Sequence, residues 1–159
     1  MTRGRQVTRI DGPEAFRRAF AVSRETTDRL VRYEALIRQW QNAVNLIAPR
    51  TLPDVWHRHF ADSAQLARLV PEGAESLADL GSGGGFPGLA LAIMLLERKR
   101  VRVTLIESDT RKAAFLREVA RQTGTPVDIL TTRIENSETQ RNVGQVDVVT
   151  ARALAPLSR

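Results

Sequence analysis

The most informative segment of the chain reads Ala78-Asp79-Leu80-Gly81-Ser82-Gly83-Gly84-Gly85-Phe86-Pro87-Gly88. It joins an apolar strand pattern to an apolar helix pattern through four glycines within five residues. Because glycine has no Cβ, such a turn lets a bound molecule touch the backbone. The start of the following helix also offers free N–H groups and a positive dipole end to an anionic group. The segment therefore predicts a ligand-binding turn.

Two acidic residues indicate what kind of ligand this turn holds. Asp79 stands two positions before the first glycine, and Glu107 ends the next apolar run. A glycine turn followed by an acid at the tip of the next strand is typical of Rossmann-like folds that bind a ribose. The dinucleotide fingerprint requires a third glycine where this chain has Phe86. A nicotinamide-dependent dehydrogenase is therefore the less favoured alternative.

The rest of the second half alternates between strand and helix patterns. Strands are predicted at 76–80, 101–106, 127–131 and 146–150, and helices at 87–97 and 110–123, with a polar stretch at 135–144. Such an order predicts an α/β fold with a parallel sheet and right-handed crossovers.

The first half of the chain has a helical pattern instead. A short helix is predicted from Pro13 to Phe20, and an amphipathic helix from Ser23 to about Ile47, ended by Pro49. Thr51 and Asp54 have the spacing of a capping box that opens a further helix to about Val70. The predicted organisation is a basic segment at 1–22, a helical extension at 23–72 and a ligand-binding domain at 73–159.

Composition narrows the class of protein and its partners. The 159 residues carry a net charge of +6 from 22 arginines and two lysines, and no cysteine. Arginine binds phosphate bidentately and stacks on bases, so an RNA partner is expected, although codon bias explains the arginine excess equally well. The absence of cysteine excludes disulfides and thiolate metal sites. His57 and His59 do not share a helix face, so no metal site is expected.

The chain has no pattern of a membrane or secreted protein. Its longest apolar run, Leu89–Leu96, is too short to span a bilayer. The amino-terminal residues lead into no apolar signal-peptide region. A cytoplasmic location without membrane contact is therefore expected.

Several motifs together resemble one known family. The acid-and-glycine spacing of residues 79–85 is similar to motif I of class I S-adenosylmethionine-dependent methyltransferases. Further matching segments follow one another along the chain at Tyr33–Leu46, His59–Ser63, Phe86–Gly88, Leu105–Ser108 and Thr150–Ala153. Over residues 28–159 the chain resembles the glucose-inhibited division protein B family, the small-subunit ribosomal RNA methyltransferases of type G.

This resemblance implies a Rossmann-like class I methyltransferase fold and a reaction. The reaction is methyl transfer from S-adenosylmethionine to N7 of a guanine in 16S rRNA, either free or in a small-subunit assembly intermediate. The family's sheet has seven strands in the order 3-2-1-4-5-7-6, and this chain has patterns for the first four, in the order 3-2-1-4. It therefore reads as C-terminally truncated, with the last three strands missing.

The missing strands leave two interpretations of activity open. The chain is either an active methyltransferase or a non-catalytic fragment that binds RNA or cofactor. In both cases strand four is expected to leave an exposed edge, so that the chain either self-associates or is much less stable than a chain with all seven strands.

The resemblance also implies which residues bind the cofactor. Glu107 is expected to accept hydrogen bonds from the ribose hydroxyls, and Arg152 to hold the target phosphate or the edge of the cofactor. The other expected cofactor residues are Gly81, Gly83 and Gly85 at the methionine end, Asp79 in the loop, Phe86 beside the cofactor, and Ile134 and Glu135 around the adenine. Guanine N7 carries an exposed lone pair, so positioning suffices and no catalytic general base is expected.

Overall fold

The structure, a computed structural model, describes residues 8–97 and 100–152. Parts of the predicted segments 1–22 and 73–159 therefore lie outside the described residues. The helices are α1 (Pro13–Phe20), α2 (Arg24–Trp40), a 3-10 helix (Pro49–Asp54), a π-helix (Trp56–Ala61), α3 (Asp62–Ala67), α4 (Gly88–Leu95), α5 (Thr110–Thr123) and α6 (Ser137–Val143). The strands are β1 (Ser76–Leu80), β2 (Arg102–Ile106), β3 (Asp128–Leu130) and β4 (Val148–Ala151).

The four strands form one parallel sheet in the order β3-β2-β1-β4. Leu80 at the end of β1 pairs with Ile106 of β2 on one side and Ala151 of β4 on the other. The carboxyl ends of the strands therefore meet at one edge, beside the glycine turn. This arrangement confirms the predicted α/β fold and strand order.

The helical extension packs on the sheet domain through α4. All eight residues of α4 are buried, because α4 contacts β2 on one side and α2 and α3 on the other. Buried residues of the extension and of the sheet domain form a single core. The uniformly apolar sequence of α4 thus reflects its position between two layers.

Helix α2 ends at Trp40, so the predicted helix to Ile47 was wrong at its end. The buried Gln41 side chain accepts hydrogen bonds from the N–H groups of Leu46 and Ile47, both at 3.2 Å. Its amide also donates to the Ile47 carbonyl at 2.7 Å. These bonds fold residues 41–47 around one side chain, which replaces the partners that a continued helix would supply.

The predicted capping box at Thr51 and Asp54 was also wrong. The Thr51 hydroxyl donates to the Ala48 carbonyl at 2.6 Å, and no side chain caps the 3-10 helix. The region is nevertheless helical, as a 3-10 helix, a π-helix and α3 that follow one another, and it ends at Ala67, three residues before Val70.

The polar stretch after β3 contains a helix that the sequence pattern did not predict. Asn136 caps α6 by accepting from the N–H groups of Glu138 and Thr139. After it, β4 begins at Val148, because the Asp147 carboxylate accepts from the N–H groups of Glu75 and Ser76 at 2.8 and 3.0 Å. These bonds lower the pKa of Asp147 and fix the start of β4 against that of β1.

Candidate functional site

The glycine turn follows β1 and depends on backbone conformations that favour glycine. Gly81, Gly83 and Gly85 have φ values of 65°, 55° and 98°. At Gly85 an added Cβ would lie 2.0 Å from the Tyr33 hydroxyl oxygen, so conformation and space both require glycine there.

The extension supports this turn from behind. The Tyr33 hydroxyl of α2 donates to the Gly84 carbonyl at 2.5 Å. A Cβ at Gly84 would lie 2.8 Å from the Leu46 carbonyl oxygen, so the 41–47 segment also packs directly on the turn. Burial raises the pKa of Tyr33 well above its ordinary value, which keeps the hydroxyl a neutral donor.

Asp79 is buried where β1 meets the start of α4, with only 1 % of its surface exposed. One carboxylate oxygen accepts from the Thr150 hydroxyl of β4 at 2.7 Å. The other, Oδ2, has no hydrogen-bond partner of ordinary geometry and lies against Gly88, where a Cβ would come within 2.4 Å of it. Burial raises the pKa of Asp79, although the bond from Thr150 opposes the rise.

Glu107 connects the end of β2 to the glycine turn. Its carboxylate accepts from the Gly83 N–H at 2.9 Å and from the Asp109 N–H at 3.3 Å. Each carboxylate oxygen can accept more than one hydrogen bond, so capacity remains for a ligand. Asp109, by contrast, caps α5 by accepting from the N–H groups of Arg111 and Lys112.

A cavity of about 250 Å³ opens between the turn and the loop after β3. Its lining includes Gly81, Ile106, Ser108, Ile134 and Glu135. Ile134 is half-buried and Glu135 is exposed. One predicted turn residue, Gly81, and both predicted adenine residues thus line one space at the carboxyl ends of β1, β2 and β3, whereas Gly83, Gly85 and Asp79 do not line it.

Phe86 lies elsewhere. Its ring is 4 % exposed and stacks on Tyr33 with centroids 5.3 Å apart and an interplanar angle of 7°. Phe60 of the π-helix packs edge-on against it. The ring thus joins the turn to the extension and does not line the 250 Å³ cavity, so its contact with a cofactor stays a prediction.

Arg152 follows β4, next to the turn and outside the lining of that cavity. Its guanidinium lies 5.4 Å from the centre of the Phe86 ring. It donates to His59 Nδ1 at 2.6 Å and to Asp62 at 3.3 Å, both from the extension. His59 is the partner that sequence reasoning missed, since 93 residues separate it from Arg152.

Two further features are absent from residues 8–97 and 100–152. No group of three or more histidine, aspartate or glutamate side chains there has the arrangement of a metal site. None of the helices in the same ranges combines the length and apolar character that a bilayer crossing needs.

Comparison with known proteins decides the family. The family model described as rRNA small subunit methyltransferase G matches residues 26–159. The chain belongs to this family. Proteins named ribosomal RNA small subunit methyltransferase G are 56 % identical over 146 residues in Parvibaculum lavamentivorans and 57 % identical over 155 residues in Rhodospirillum centenum. These matches cover 92 % and 95 % of this chain.

The chain spans about two thirds of the length of these family members. The matched parts are 64 % of the Parvibaculum protein and 68 % of the Rhodospirillum protein. The family resemblance inferred from the turn, the Gly-Phe-Pro-Gly run and the Arg-Ala pair is therefore confirmed over nearly the whole chain.

A solved structure supports the fold of the family domain. It is a putative protein-L-isoaspartate O-methyltransferase from Plasmodium falciparum in complex with S-adenosyl-L-homocysteine. The TM-score is 0.55 with 16 % sequence identity, over 92 % of this chain and 77 % of that one. At this identity the likeness concerns the fold alone, which is that of the class I methyltransferases.

Proposed function

We propose that this chain binds S-adenosylmethionine and belongs to an enzyme that methylates N7 of a guanine in 16S rRNA. One observation carries the proposal: the Glu107 carboxylate holds the Gly83 N–H at 2.9 Å beside a cavity walled by Ile134. A carboxylate at the tip of β2, next to a glycine turn, is the arrangement that receives a ribose in Rossmann-like folds. Membership of the methyltransferase G family supports this cofactor rather than a dinucleotide.

The residues of the site suit the parts of this cofactor. Glu107 would accept from the ribose hydroxyls, and Ile134 would pack on the adenine with Glu135 near its exocyclic amine. The backbone of residues 81–85 would contact the methionine end. Asp79, buried beneath the turn and bonded to Thr150 of β4, would order the loop that holds the methionine end.

The chemistry then requires orientation more than acid–base catalysis. The cofactor supplies an activated methyl group, and the N7 lone pair of guanine needs no deprotonation. The work of the protein is to align the two and to exclude water. Arg152, which within the described residues donates to His59 and Asp62 alone, would hold the target phosphate or the cofactor edge with its other N–H groups.

The proposed RNA partner predicts a strong salt dependence of binding. Arginines that contact phosphates release counterions, so affinity for 16S rRNA is expected to fall steeply as salt rises from about 50 to 200 mM. A filter-binding series over this range measures it. A flat response would remove the arginine excess as support for RNA binding.

The target base is expected to be unpaired or extruded, because A-form RNA hides N7 in a deep, narrow groove.

A second candidate function is a cofactor- or RNA-binding module without catalysis. It is favoured by the described sheet, in which β4 is an outer strand with one unpaired side. Val149 on this strand is 59 % exposed.

The same edge predicts self-association of the chain. Unpaired N–H and C=O groups beside an exposed valine favour pairing with another strand. Light scattering on the purified chain is expected to show species larger than a monomer, and Val149→Lys to shift them towards monomer. Leu69→Lys changes a residue that is 75 % exposed and belongs to no strand, and it is expected to leave the distribution unchanged. A monomer at all concentrations would contradict the prediction.

A methyl-transfer assay decides between the two candidate functions. The chain is incubated with 16S rRNA and tritiated S-adenosylmethionine, and labelled RNA is mapped for N7-methylguanosine. Label at N7 of one guanine supports the enzyme, and cofactor binding without transfer supports the module. Label on another atom or another RNA would overturn the proposed substrate.

A further inference from the structure

We propose that His59 is a positioning residue that holds the Arg152 guanidinium beside the glycine turn, so that the helical extension completes the site. The inference deepens the proposed function, because it assigns a partner to the cation expected at the substrate or cofactor. It rests on a chain of hydrogen bonds from β4 into the extension.

The hydrogen bonds fix the tautomer of His59. The Ala48 carbonyl can only accept, so the Thr51 hydroxyl donates its proton there, at 2.6 Å. The Thr51 oxygen lies 2.8 Å from His59 Nε2 and must accept from it. Nδ1 is then unprotonated, and it accepts from Arg152 Nη2 at 2.6 Å. Only this assignment gives every hydrogen bond in the series one donor and one acceptor.

The surroundings keep the ring neutral. His59 is 7 % exposed and faces the charges of Arg152 just after β4, Asp62 of α3 and Arg58 of its own helix. Burial, followed by the Arg152 charge, lowers the pKa of His59 to about 4. At neutral pH the ring is therefore an acceptor that carries no charge.

His59, as a neutral acceptor, orients the cation without adding a charge, so the compensating charge comes from the exposed Asp62 carboxylate 3.3 Å away. Arg152 has five N–H donors, and only two groups of the extension, His59 and Asp62, receive hydrogen bonds from it. The Phe86 ring lies against the guanidinium, with its centre 5.4 Å from the guanidinium carbon. Within the described residues the other N–H donors of Arg152 have no hydrogen-bond partner, so they can bind a phosphate or carboxylate near the turn.

Two substitutions of similar size separate positioning from folding. In His59→Asn the side-chain amide can reach the place of Nδ1 and accept from Arg152, whereas in His59→Gln it reaches the place of Nε2 and Thr51. We expect His59→Asn to keep affinity for 16S rRNA within about twofold. We expect His59→Gln to lower it about tenfold, as Arg152→Ala does, since hydrogen bonds to charged groups have effects of this size. His57→Asn is the control for loss of a histidine nearby.

A double-mutant cycle and a spectrum make the test decisive. His59→Gln combined with Arg152→Ala is expected to lower RNA affinity no more than Arg152→Ala alone, with urea unfolding confirming that each variant is folded. Additive losses, or equal behaviour of His59→Asn and His59→Gln, would overturn the inference.

Nitrogen-15 NMR of the imidazole provides a readout independent of RNA. The Nε2–H tautomer is expected at neutral pH, and an Nδ1–H tautomer contradicts the inference. If the tautomer is as expected but Arg152→Ala leaves RNA and cofactor binding intact, the proposed role of Arg152 fails while its positioning by His59 stands.

Discussion

Glu107→Ala is expected to weaken binding of S-adenosylhomocysteine roughly ten- to a hundredfold. The substitution removes a charged acceptor of the ribose hydroxyls, and hydrogen bonds to charged groups contribute about 1.5–3 kcal/mol. It also releases the Gly83 N–H that the carboxylate holds at 2.9 Å, so the glycine turn loses a restraint. Isothermal titration calorimetry on the wild type and the variant measures the change.

Asp109→Ala is the matched control for this experiment. Asp109 lies two residues away and its carboxylate caps α5. Its loss is expected to cost roughly 0.5–2 kcal/mol of unfolding free energy and to change cofactor affinity little. Unchanged affinity in Glu107→Ala, or equal losses in the two variants, would rule out the ribose role of Glu107.

Gly85→Ala is expected to destabilise the chain by about 2–5 kcal/mol. A residue with a Cβ in the left-handed region costs roughly 1–2 kcal/mol, and overpacking a filled site costs a further 1–3 kcal/mol. Here the new Cβ would lie 2.0 Å from the Tyr33 hydroxyl and 3.0 Å from the Leu89 side chain, at a φ of 98°. Urea unfolding gives the change, and loss of cofactor binding is expected to accompany it.

Gly73→Ala provides the control for backbone effects of alanine alone. Gly73 has open space around its would-be Cβ and a φ outside the left-handed region. The free energy of unfolding is expected to change by less than about 1 kcal/mol. Similar effects at both positions would mean that the contact between Tyr33 and the turn does not constrain residue 85.

The sheet and the glycine turn could be predicted because short-range patterns specify them. Apolar runs bounded by glycine or proline defined the strands and α4, and Gly124 defined the end of α5. The errors occurred where a side chain overrides local propensity. Gln41 ends α2 by bonding to Leu46 and Ile47, and Asn136 starts a helix in a stretch with no apolar stripe.

The candidate site was predictable to the extent that motifs place its residues on strand ends. Gly81, Ile134 and Glu135 surround one cavity, with Glu107 bonded to the same turn. The supporting contacts were not predictable, because they join distant parts of the chain. Tyr33 meets Gly84 across 51 residues, and no sequence signal identifies a neutral histidine as the acceptor for one particular arginine.

The central claim is that the glycine turn and Glu107 form a site for S-adenosylmethionine. Calorimetric titration of the unmodified chain with S-adenosylhomocysteine, and separately with NAD⁺, tests it most directly. The structure and the family predict saturable binding of S-adenosylhomocysteine at one site per chain and no binding of NAD⁺ at the same concentrations. Binding of NAD⁺ in preference, or of neither compound by a folded chain, would contradict the claim.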